Sequence, residues 1–252
     1  MLKQFLLASF ACALAVVSGF GVSTKAEAKP VYTVAMDAAY PPFGSQDLKS
    51  KEYVGYDVDI IKAIAAKEGF AVKIRNLQFD GLIPALRTGN IDIAINDITI
   101  TPDRAKNVDF SHRYYIAGLG VVVQKNNRTI RTAKDLEGKR LGVSIGSTGE
   151  EAARKIKNAD VHVYNQLNEA YLELRNGGVD AVVNDIPTND YYVATAGRGA
   201  VKALPVALTQ EDLGIAVKKG NTELLDKING ALKNLKESGK LDEIVAKYIS
   251  AE

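Results

Sequence analysis

The sequence predicts an α/β protein of two lobes, each a mainly parallel sheet flanked by helices. Short β-branched or aliphatic segments alternate with segments of helical spacing, which is typical of parallel sheets. A twelve-residue pattern recurs once, 88 residues later, which indicates two units of one plan. The 252 residues, 46 % of them hydrophobic and 25 % charged, are enough to form two packed cores.

The first 28 residues predict an export signal. Lys3 supplies a positive charge, an apolar run follows, and the small-x-small triplet Ala26-Glu27-Ala28 ends the segment. This order is typical of a signal peptide that is cleaved after Ala28. An uncleaved membrane anchor is the alternative, because the uncharged residues 4–24 could span a bilayer. Cys12, the single cysteine, lies here, so the exported chain 29–252 would have no disulfide.

The first half of the exported chain begins with a strand, a loop and a helix. Residues 31–35 alternate and are rich in β-branched residues, whereas residues 38–56 contain Pro41-Pro42 and read as a loop. Residues 57–68 have helical spacing and stop at Gly69. Further along, strands are predicted at 72–74 and 91–95, and a short helix at 82–87 before Gly89.

The same alternation continues in the second half. Each predicted strand is a short aliphatic run, and each predicted helix carries apolar residues three and four positions apart. The strands are predicted near 119–123 and at 140–143, 161–164 and 179–183, and the helices from about 149, at 168–176, and as a pair within 222–249.

The repeated pattern ends in an Asn-Asp pair. Residues 86–97 match residues 174–185, and each copy reads as a helix end, a glycine, a buried strand and two polar residues. Ligands of open parallel sheets bind beyond the carboxyl ends of the strands. We therefore predict that Asn96-Asp97 and Asn184-Asp185 face each other across a cleft. The alternative is that they only form turns, which Asn and Asp favour.

Residues near these strand ends suit a small zwitterion. Thr99 offers a hydroxyl, and Arg104 offers a planar fork that can hold a carboxylate through two charge-assisted hydrogen bonds. Ser147 and Thr148 stand where a glycine-containing loop opens a predicted helix, and a helix N-terminus suits an anion. Asp185 would complete the set as a partner for an ammonium.

Simpler interpretations remain open for both features. Arg104 could form a surface ion pair with Asp103 or Asp109, and Ser147-Thr148 could be a plain N-cap.

Other chemistries lack a supporting pattern. The net charge is +2 without a basic stripe, so no attraction to nucleic acid is predicted. His112 and His162 are far apart in the chain, and the sequence has no cysteine nucleophile, phosphate loop or dinucleotide motif. We therefore predict no catalytic residue, no metal site and no cofactor.

Several short motifs together resemble those of the extracytoplasmic solute-binding proteins, family 3, of polar amino-acid ABC importers. They follow one another along the whole exported chain at residues 53–59, 81–86, 98–104, 109–111, 135–139, 146–149 and 238–241.

The resemblance implies the type II periplasmic-binding-protein fold, in which two lobes joined by two hinge strands close on a ligand. Lobe 1 would comprise residues 29–113 and 212–252, lobe 2 residues 119–207, and the hinge residues 114–118 and 208–211. A monomer in the periplasm, or outside the cytoplasm more generally, would then deliver its ligand by transient contact with a membrane ABC permease.

The resemblance also implies how the ends of an amino acid are bound. Arg104 would bind the α-carboxylate, helped by Thr99 and by the backbone and hydroxyl of Thr148. Asp185 would bind the α-ammonium together with the carbonyl of Asp97.

The ligand side chain would be placed between Tyr40 and Phe79, with Asp37 at its far end. The sequence departs from many relatives at Asn96-Asp97, where they have small residues, and at Ser144, where some glutamine binders have lysine.

We expect a basic or glutamine-like ligand, namely arginine, lysine, ornithine, histidine, glutamine or an opine. The alternative is a secreted dehydratase-type enzyme that acts on a cyclic carboxylic acid. A sensor module would normally need a second membrane segment or a signalling domain.

Overall fold

The computed structural model describes residues 29–249, which form an α/β structure around two five-stranded sheets. The predicted export signal, with Cys12 in it, lies outside the described residues. Between residues 29 and 249, no helix is long and apolar enough to cross a membrane.

Eight α-helices and fifteen strands make up the described chain. The helices are α1 (Tyr56–Glu68), α2 (Leu82–Thr88), α3 (Pro102–Ala105), α4 (Thr148–Arg154), α5 (Leu167–Asn176), α6 (Ile186–Ala194), α7 (Thr222–Glu237) and α8 (Lys240–Tyr248). The strands are β1 (Val31–Met36), β2 (Ala39–Tyr40), β3 (Gly44–Gln46), β4 (Tyr53–Val54), β5 (Ala71–Asn76), β6 (Ile93–Ala94), β7 (Val108–Phe110), β8 (Tyr115–Ala117), β9 (Leu119–Gln124), β10 (Arg140–Ser144), β11 (Asp160–Tyr164), β12 (Ala181–Asp185), β13 (Val201–Ala203), β14 (Glu211–Leu213) and β15 (Ala216–Lys218).

The two large sheets follow one plan. The first has the order β5-β1-β6-β15-β7 and the second the order β11-β10-β12-β9-β13. In each, the first three strands are parallel and the last two pair antiparallel. Both sheets are therefore mixed, because the fourth strand of each runs against the other four. The fifth strand is antiparallel to the fourth and so has the direction of the first three.

The repeated sequence pattern forms the centre of each sheet. β6 and β12 are the middle strands, and the helices before them, α2 and α5, end at Gly89 and Gly177 with φ of 76° and 81°. This left-handed conformation is costly for residues with a Cβ atom, which explains the glycine in both copies.

The aspartates inside the repeat form equivalent hydrogen bonds in both sheets. Asp92 Oδ2 accepts a hydrogen bond from the Thr33 N–H at 2.7 Å, and Asp180 Oδ2 accepts one from the Arg140 N–H at 2.9 Å. Each carboxylate therefore ties the central strand to its parallel neighbour, which confirms that the two units share one plan.

The chain passes between the sheets through a two-stranded ribbon, β8 paired antiparallel with β14. Residue 118 must be glycine here, because a Cβ atom would lie 2.3 Å from the Thr209 carbonyl oxygen. The Leu119 N–H also donates to Thr209 Oγ1 at 3.0 Å. The two connections are therefore in direct contact.

Each sheet has its own apolar core. α1, α7 and α8 pack on the first sheet, and their buried residues include Ile64, Ile228 and Ile244. The second sheet has one cluster on each face. Tyr40 of the first unit is buried in one of these clusters, against Leu167 and Tyr171. The two units are thus in contact in this structure.

Two segments differ from the sequence prediction. Residues 38–56 contain a small sheet of order β2-β3-β4 rather than only a loop. Residues 186–194 form α6, for which no helix is predicted.

Candidate functional site

The candidate site lies between the two sheets, where the central strands β6 and β12 end. Asp97 follows β6 and Asp185 ends β12, and the two side chains are only 3 % and 6 % exposed. The carboxylate of Asp185 is near enough to raise the pKa of Asp97, and Arg104 is near enough to lower the pKa of both carboxylates. The predicted meeting of the strand ends is therefore what the structure shows.

Arg104 is held in place by the start of α3. The Thr101 side chain accepts a hydrogen bond from the Arg104 N–H, with Pro102 in the first turn, so the guanidinium turns inward. Its Nη1 donates to the Thr99 carbonyl at 2.9 Å and its Nη2 to the Gly146 carbonyl at 3.0 Å. A guanidinium has further N–H groups, which can donate to a carboxylate.

The surface ion pair considered for Arg104 is wrong. Asp103 pairs with Lys106 and Asp109 with Lys219, each at 2.6 Å. Arg104 itself is only 8 % exposed. Burial lowers its pKa, whereas neighbouring carboxylates, including that of Asp185, act in the opposite direction. A buried guanidinium requires negative partners, and these carboxylates are near enough to act on its charge.

Two aromatic rings line the other side of the site. Tyr40 and Phe79 stack with ring centroids 5.9 Å apart and an interplanar angle of 23°. The Arg104 guanidinium carbon lies 5.4 Å from the Phe79 centroid, within range of a cation–π contact. The Tyr40 hydroxyl donates to Asn184 Oδ1 at 3.1 Å. Tyr40 therefore spans from the first unit to the second.

Asp37 lies beside these rings at the end of β1 and is buried. Its carboxylate accepts from the Ala39 N–H at 3.1 Å and the Phe79 N–H at 3.2 Å. The Asp37 N–H donates to Asn96 Oδ1 at 2.7 Å. Burial raises the pKa of Asp37, and the two accepted hydrogen bonds oppose this shift. A carboxylate has about four lone-pair sites, so it can still accept from a ligand.

The strand-end residues carry polar atoms that have no hydrogen-bond partner among residues 29–249. These atoms are both carboxylate oxygens of Asp97, Oδ1 of Asp185, and the Nδ2 atoms of Asn96 and Asn184. Buried polar groups are nearly always hydrogen-bonded in folded proteins. The set therefore suits a polar ligand that donates to carboxylates and accepts from amides.

Burial raises the pKa of Asp97 and of Asp185. The carboxylate of Asp185 adds to the shift at Asp97, and that of Glu211 adds to the shift at Asp185. Arg104 acts in the opposite direction on both. A cation placed between these carboxylates would favour their ionised forms.

The opening of α4 is an N-cap, the simpler of the two interpretations considered. The Ser147 hydroxyl donates to the Ser144 carbonyl at 2.7 Å and accepts from the Glu150 N–H at 3.0 Å. The Thr148 hydroxyl donates to Glu211 Oε2 at 2.8 Å. The first N–H groups of a helix have no intrahelical partner. Thr148 can therefore offer its backbone N–H, rather than its hydroxyl proton, to a ligand.

Some residues that organise the site were not predicted from the sequence. Asp57, in the first turn of α1, accepts from the Asp97 N–H at 2.9 Å and so holds Asp97 at a φ of 54°. Glu211 accepts from Thr99 and Thr148. Asp57 reads as an ordinary acid at a helix start, and Glu211 lies in a predicted hinge, so only the folded contacts reveal these roles.

Asp57 predicts how the stability of the protein depends on pH. Burial raises its pKa to about 7, and the Asp97 N–H opposes this shift. The pKa is higher in the folded than in the unfolded state, so its contribution to stability is present below about pH 4 and is lost towards pH 7. We expect Asp57→Asn, which keeps an acceptor for the Asp97 N–H, to flatten this decrease in urea unfolding between pH 4.5 and 8.

The matched control for this measurement is Asp226→Asn, at an exposed acid of α7. It should retain the wild-type pH dependence. Equal pH profiles for wild type and Asp57→Asn would contradict the assignment.

Comparisons with known proteins show the family of this chain. The sequence profile of the bacterial extracellular solute-binding proteins, family 3, matches residues 32–251. The chain belongs to this family.

Within residues 29–249, no group of three or more His, Cys, Asp or Glu side chains is placed to hold a metal ion.

Individual members of family 3 are similar over nearly the whole chain. The L-arginine-binding protein of Pseudomonas aeruginosa is 38 % identical, and the alignment covers 95 % of this chain and 94 % of the relative. A probable histidine-binding protein of Neisseria gonorrhoeae is 33 % identical over 100 % of this chain and 97 % of its own. An ancestral arginine-binding protein bound to arginine is 41 % identical, with a TM-score of 0.84 over 89 % of this chain and 100 % of that chain. These likenesses confirm the two-lobed fold expected for a family 3 solute-binding protein.

Proposed function

We propose that this solute-binding protein binds a polar L-amino acid, basic or glutamine-like, and delivers it to a membrane ABC permease. The observation that carries the proposal is the placement of Arg104 and Asp185. They reach one buried site from opposite lobes, and each has hydrogen-bonding capacity left for a ligand. The relatives named as binding proteins for arginine and histidine support the choice of ligand class.

The proposed site binds both charged ends of the amino acid. A zwitterion loses its hydration on burial, so each charge needs a counter-charge and hydrogen bonds. Arg104 and the backbone N–H groups of Thr99 and Thr148 would bind the α-carboxylate. Asp185 and Asp97 would bind the α-ammonium. Only the closed form would bind both ends of the ligand, so binding favours closure.

The charge of the pocket favours a ligand with a basic side chain. Asp37, Asp97 and Asp185 are three buried carboxylates, and Arg104 is the cation among these site residues. A ligand with a second positive group would offset this excess. Its side chain would lie between the rings of Tyr40 and Phe79, which are 5.9 Å apart. A planar group contacts each ring at about 3.5 Å, so the rings would separate by about 1 Å.

Asp37→Asn should discriminate between ligands. The asparagine keeps an acceptor oxygen for the backbone N–H groups but removes the charge that would face a cationic side chain. We expect the Kd for arginine to rise about 10–100-fold, as for the loss of a hydrogen bond to a charged group, and that for glutamine about threefold at most. Isothermal titration calorimetry with both ligands measures this difference. Equal losses for arginine and glutamine would remove Asp37 from the specificity role.

The proposed function is tested by thermal unfolding in the presence of each common amino acid. The protein is first unfolded and refolded, so that any bound ligand is removed. A ligand at 100 times its Kd should add about 2.7 kcal/mol of stability, a shift of several degrees. Stabilisation by one or a few polar L-amino acids is expected. No shift with any amino acid would contradict the proposal.

Four further parts of the proposal concern cell biology and chemistry. We propose that the protein is a monomer, that the segment before Lys29 is a cleaved signal peptide, and that the protein acts in the periplasm or elsewhere outside the cytoplasm. We also propose that it has no enzymatic activity. Turnover of a prephenate-like cyclic acid by the purified protein would contradict this last point.

A further inference from the structure

Glu211 joins the two lobes through hydroxyl groups. This side chain, at the start of β14, is buried. Its Oε2 atom accepts from Thr99 Oγ1 at 2.6 Å and from Thr148 Oγ1 at 2.8 Å. Its Oε1 atom accepts from Thr209 Oγ1 at 2.9 Å. One carboxylate therefore has three hydroxyl partners.

The two partners of Oε2 come from different lobes. Thr99 follows the central strand of the first sheet, and Thr148 is the first residue of α4, beside the second sheet. Their hydroxyl oxygens are 3.5 Å apart. Both can reach a single oxygen atom only when the lobes are together. This pair of charge-assisted hydrogen bonds therefore belongs to the closed arrangement alone.

The same bonds orient the hydroxyl protons. Each threonine hydroxyl has one proton, and both protons point to Glu211. The ligand carboxylate is therefore left to Arg104 and to backbone N–H groups. Within the described part of the chain, the side-chain hydrogen bonds of Glu211 go to Thr99, Thr148 and Thr209, and none goes to Asp185, Arg104 or the aromatic rings. Its contacts therefore join the lobes.

We propose that Glu211 is a positioning residue that stabilises the closed state by holding Thr99 and Thr148 against one another. The identity of the ligand rests on the proposed function. The mechanism rests on the contacts of Glu211. Its consequence is a slower release of the amino acid, because a ligand leaves only after the lobes separate. Association, which begins with the open form, should be unaffected.

The test compares Glu211→Gln and Glu211→Ala with wild type in stopped-flow binding of arginine. Glutamine keeps an acceptor oxygen but loses the charge, and alanine loses both. We expect the dissociation rate constant to rise about 10-fold for glutamine and about 100-fold for alanine, from the usual strength of hydrogen bonds to charged groups, with an association rate constant within about twofold of wild type. An unchanged dissociation rate in Glu211→Ala would overturn the proposal.

Asp212→Asn is the matched control. This residue is next on the same strand, and its side chain forms an exposed ion pair with Arg113. Its rate constants should stay near those of wild type, and an equal effect would show that any change in β14 alters release. Thr148→Val should add little to the effect of Glu211→Ala, because the two changes remove the same bond. Fully additive effects would contradict a shared contact.

Small-angle X-ray scattering separates this proposal from the proposed function. With arginine at a concentration that saturates both proteins, Glu211→Ala should have a larger radius of gyration than wild type. Wild type that binds no amino acid would overturn the proposed function. Wild type that binds arginine, together with a wild-type radius in saturated Glu211→Ala, would overturn the positioning role alone.

Discussion

Arg104→Ala is expected to abolish useful binding of every amino acid, whatever its side chain. The α-carboxylate is common to all of them, and Arg104 is the buried cation proposed to bind it. Removing one partner of a buried ion pair costs about 3–5 kcal/mol, which corresponds to a rise in Kd of about 150- to 4,000-fold. Isothermal titration calorimetry with arginine, histidine and glutamine should give the same proportional loss for all three.

The controls for this result are chosen on the same lobe. Arg87→Ala removes an exposed arginine in the last turn of α2 and should leave every Kd unchanged. Arg104→Lys keeps the charge but cannot donate to the Thr99 and Gly146 carbonyls and to a ligand in the same geometry, so an intermediate loss is expected. Near wild-type affinity in Arg104→Ala would contradict the carboxylate assignment.

Asp185→Asn should be nearly as damaging, and its effect should depend on the ligand's ammonium group. The amide keeps the shape of the side chain but removes the counter-charge. The loss is again about 3–5 kcal/mol, a rise in Kd of about 150- to 4,000-fold. A deaminated analogue of arginine binds weakly from the start and should lose much less on mutation. Competition against a labelled ligand measures both affinities.

The pH dependence of binding gives a second readout for Asp185. Burial raises the pKa of this carboxyl in the free protein, and a bound ammonium would lower it. Binding should therefore release protons, and the Kd for arginine should fall as pH rises from about 5.5 to 8. This dependence should weaken in Asp185→Asn and persist in Asp160→Asn, at an exposed acid of the second lobe. An affinity that increases towards low pH would contradict the assignment.

The plan of the fold was within reach of the sequence because local signals agree with the tertiary structure. α1 was predicted to end at Gly69, and it ends at Glu68 with Gly69 in the left-handed conformation. The internal repeat located both central strands, because the helix end, the glycine and the buried strand have the same sequence pattern in each copy. The residues at the ends of those strands were therefore predicted as facing acids.

Elements without such signals could not be predicted. The helix α6 buries the polar residues Thr188 and Asn189, so it shows no apolar stripe. The strands β2 to β4 have two or three residues each, too few for a visible alternation, and Pro41-Pro42 suggests a loop. In both cases tertiary packing, rather than local preference, decides the structure.

The same limit applies to the site. Asp185 and Thr99 stand out because they lie at or shortly after a strand end, and Arg104 because a guanidinium can hold a carboxylate. Glu211 is 112 residues from Thr99 and 63 from Thr148, so no local pattern connects them. Asp57 and Asp97 are 40 residues apart. Contacts of this kind join residues that are far apart in the sequence. They can be predicted only once the path of the chain back to the first sheet is known.

The position of β15 has a consequence for the order in which the protein assembles. This strand lies between β6 and β7 in the first sheet, although it follows every strand of the second sheet in the chain. During synthesis from the N-terminus, all strands of the second sheet are present once residue 203 has been made. The first sheet keeps a gap at its fourth position until residues 216–218 arrive, and α7 and α8 can pack on α1 only after that. The last segment of the chain thus completes the sheet that was begun first, so hydrogen exchange pulsed during synthesis of the chain should find β9 to β12 protected before β1 and β6.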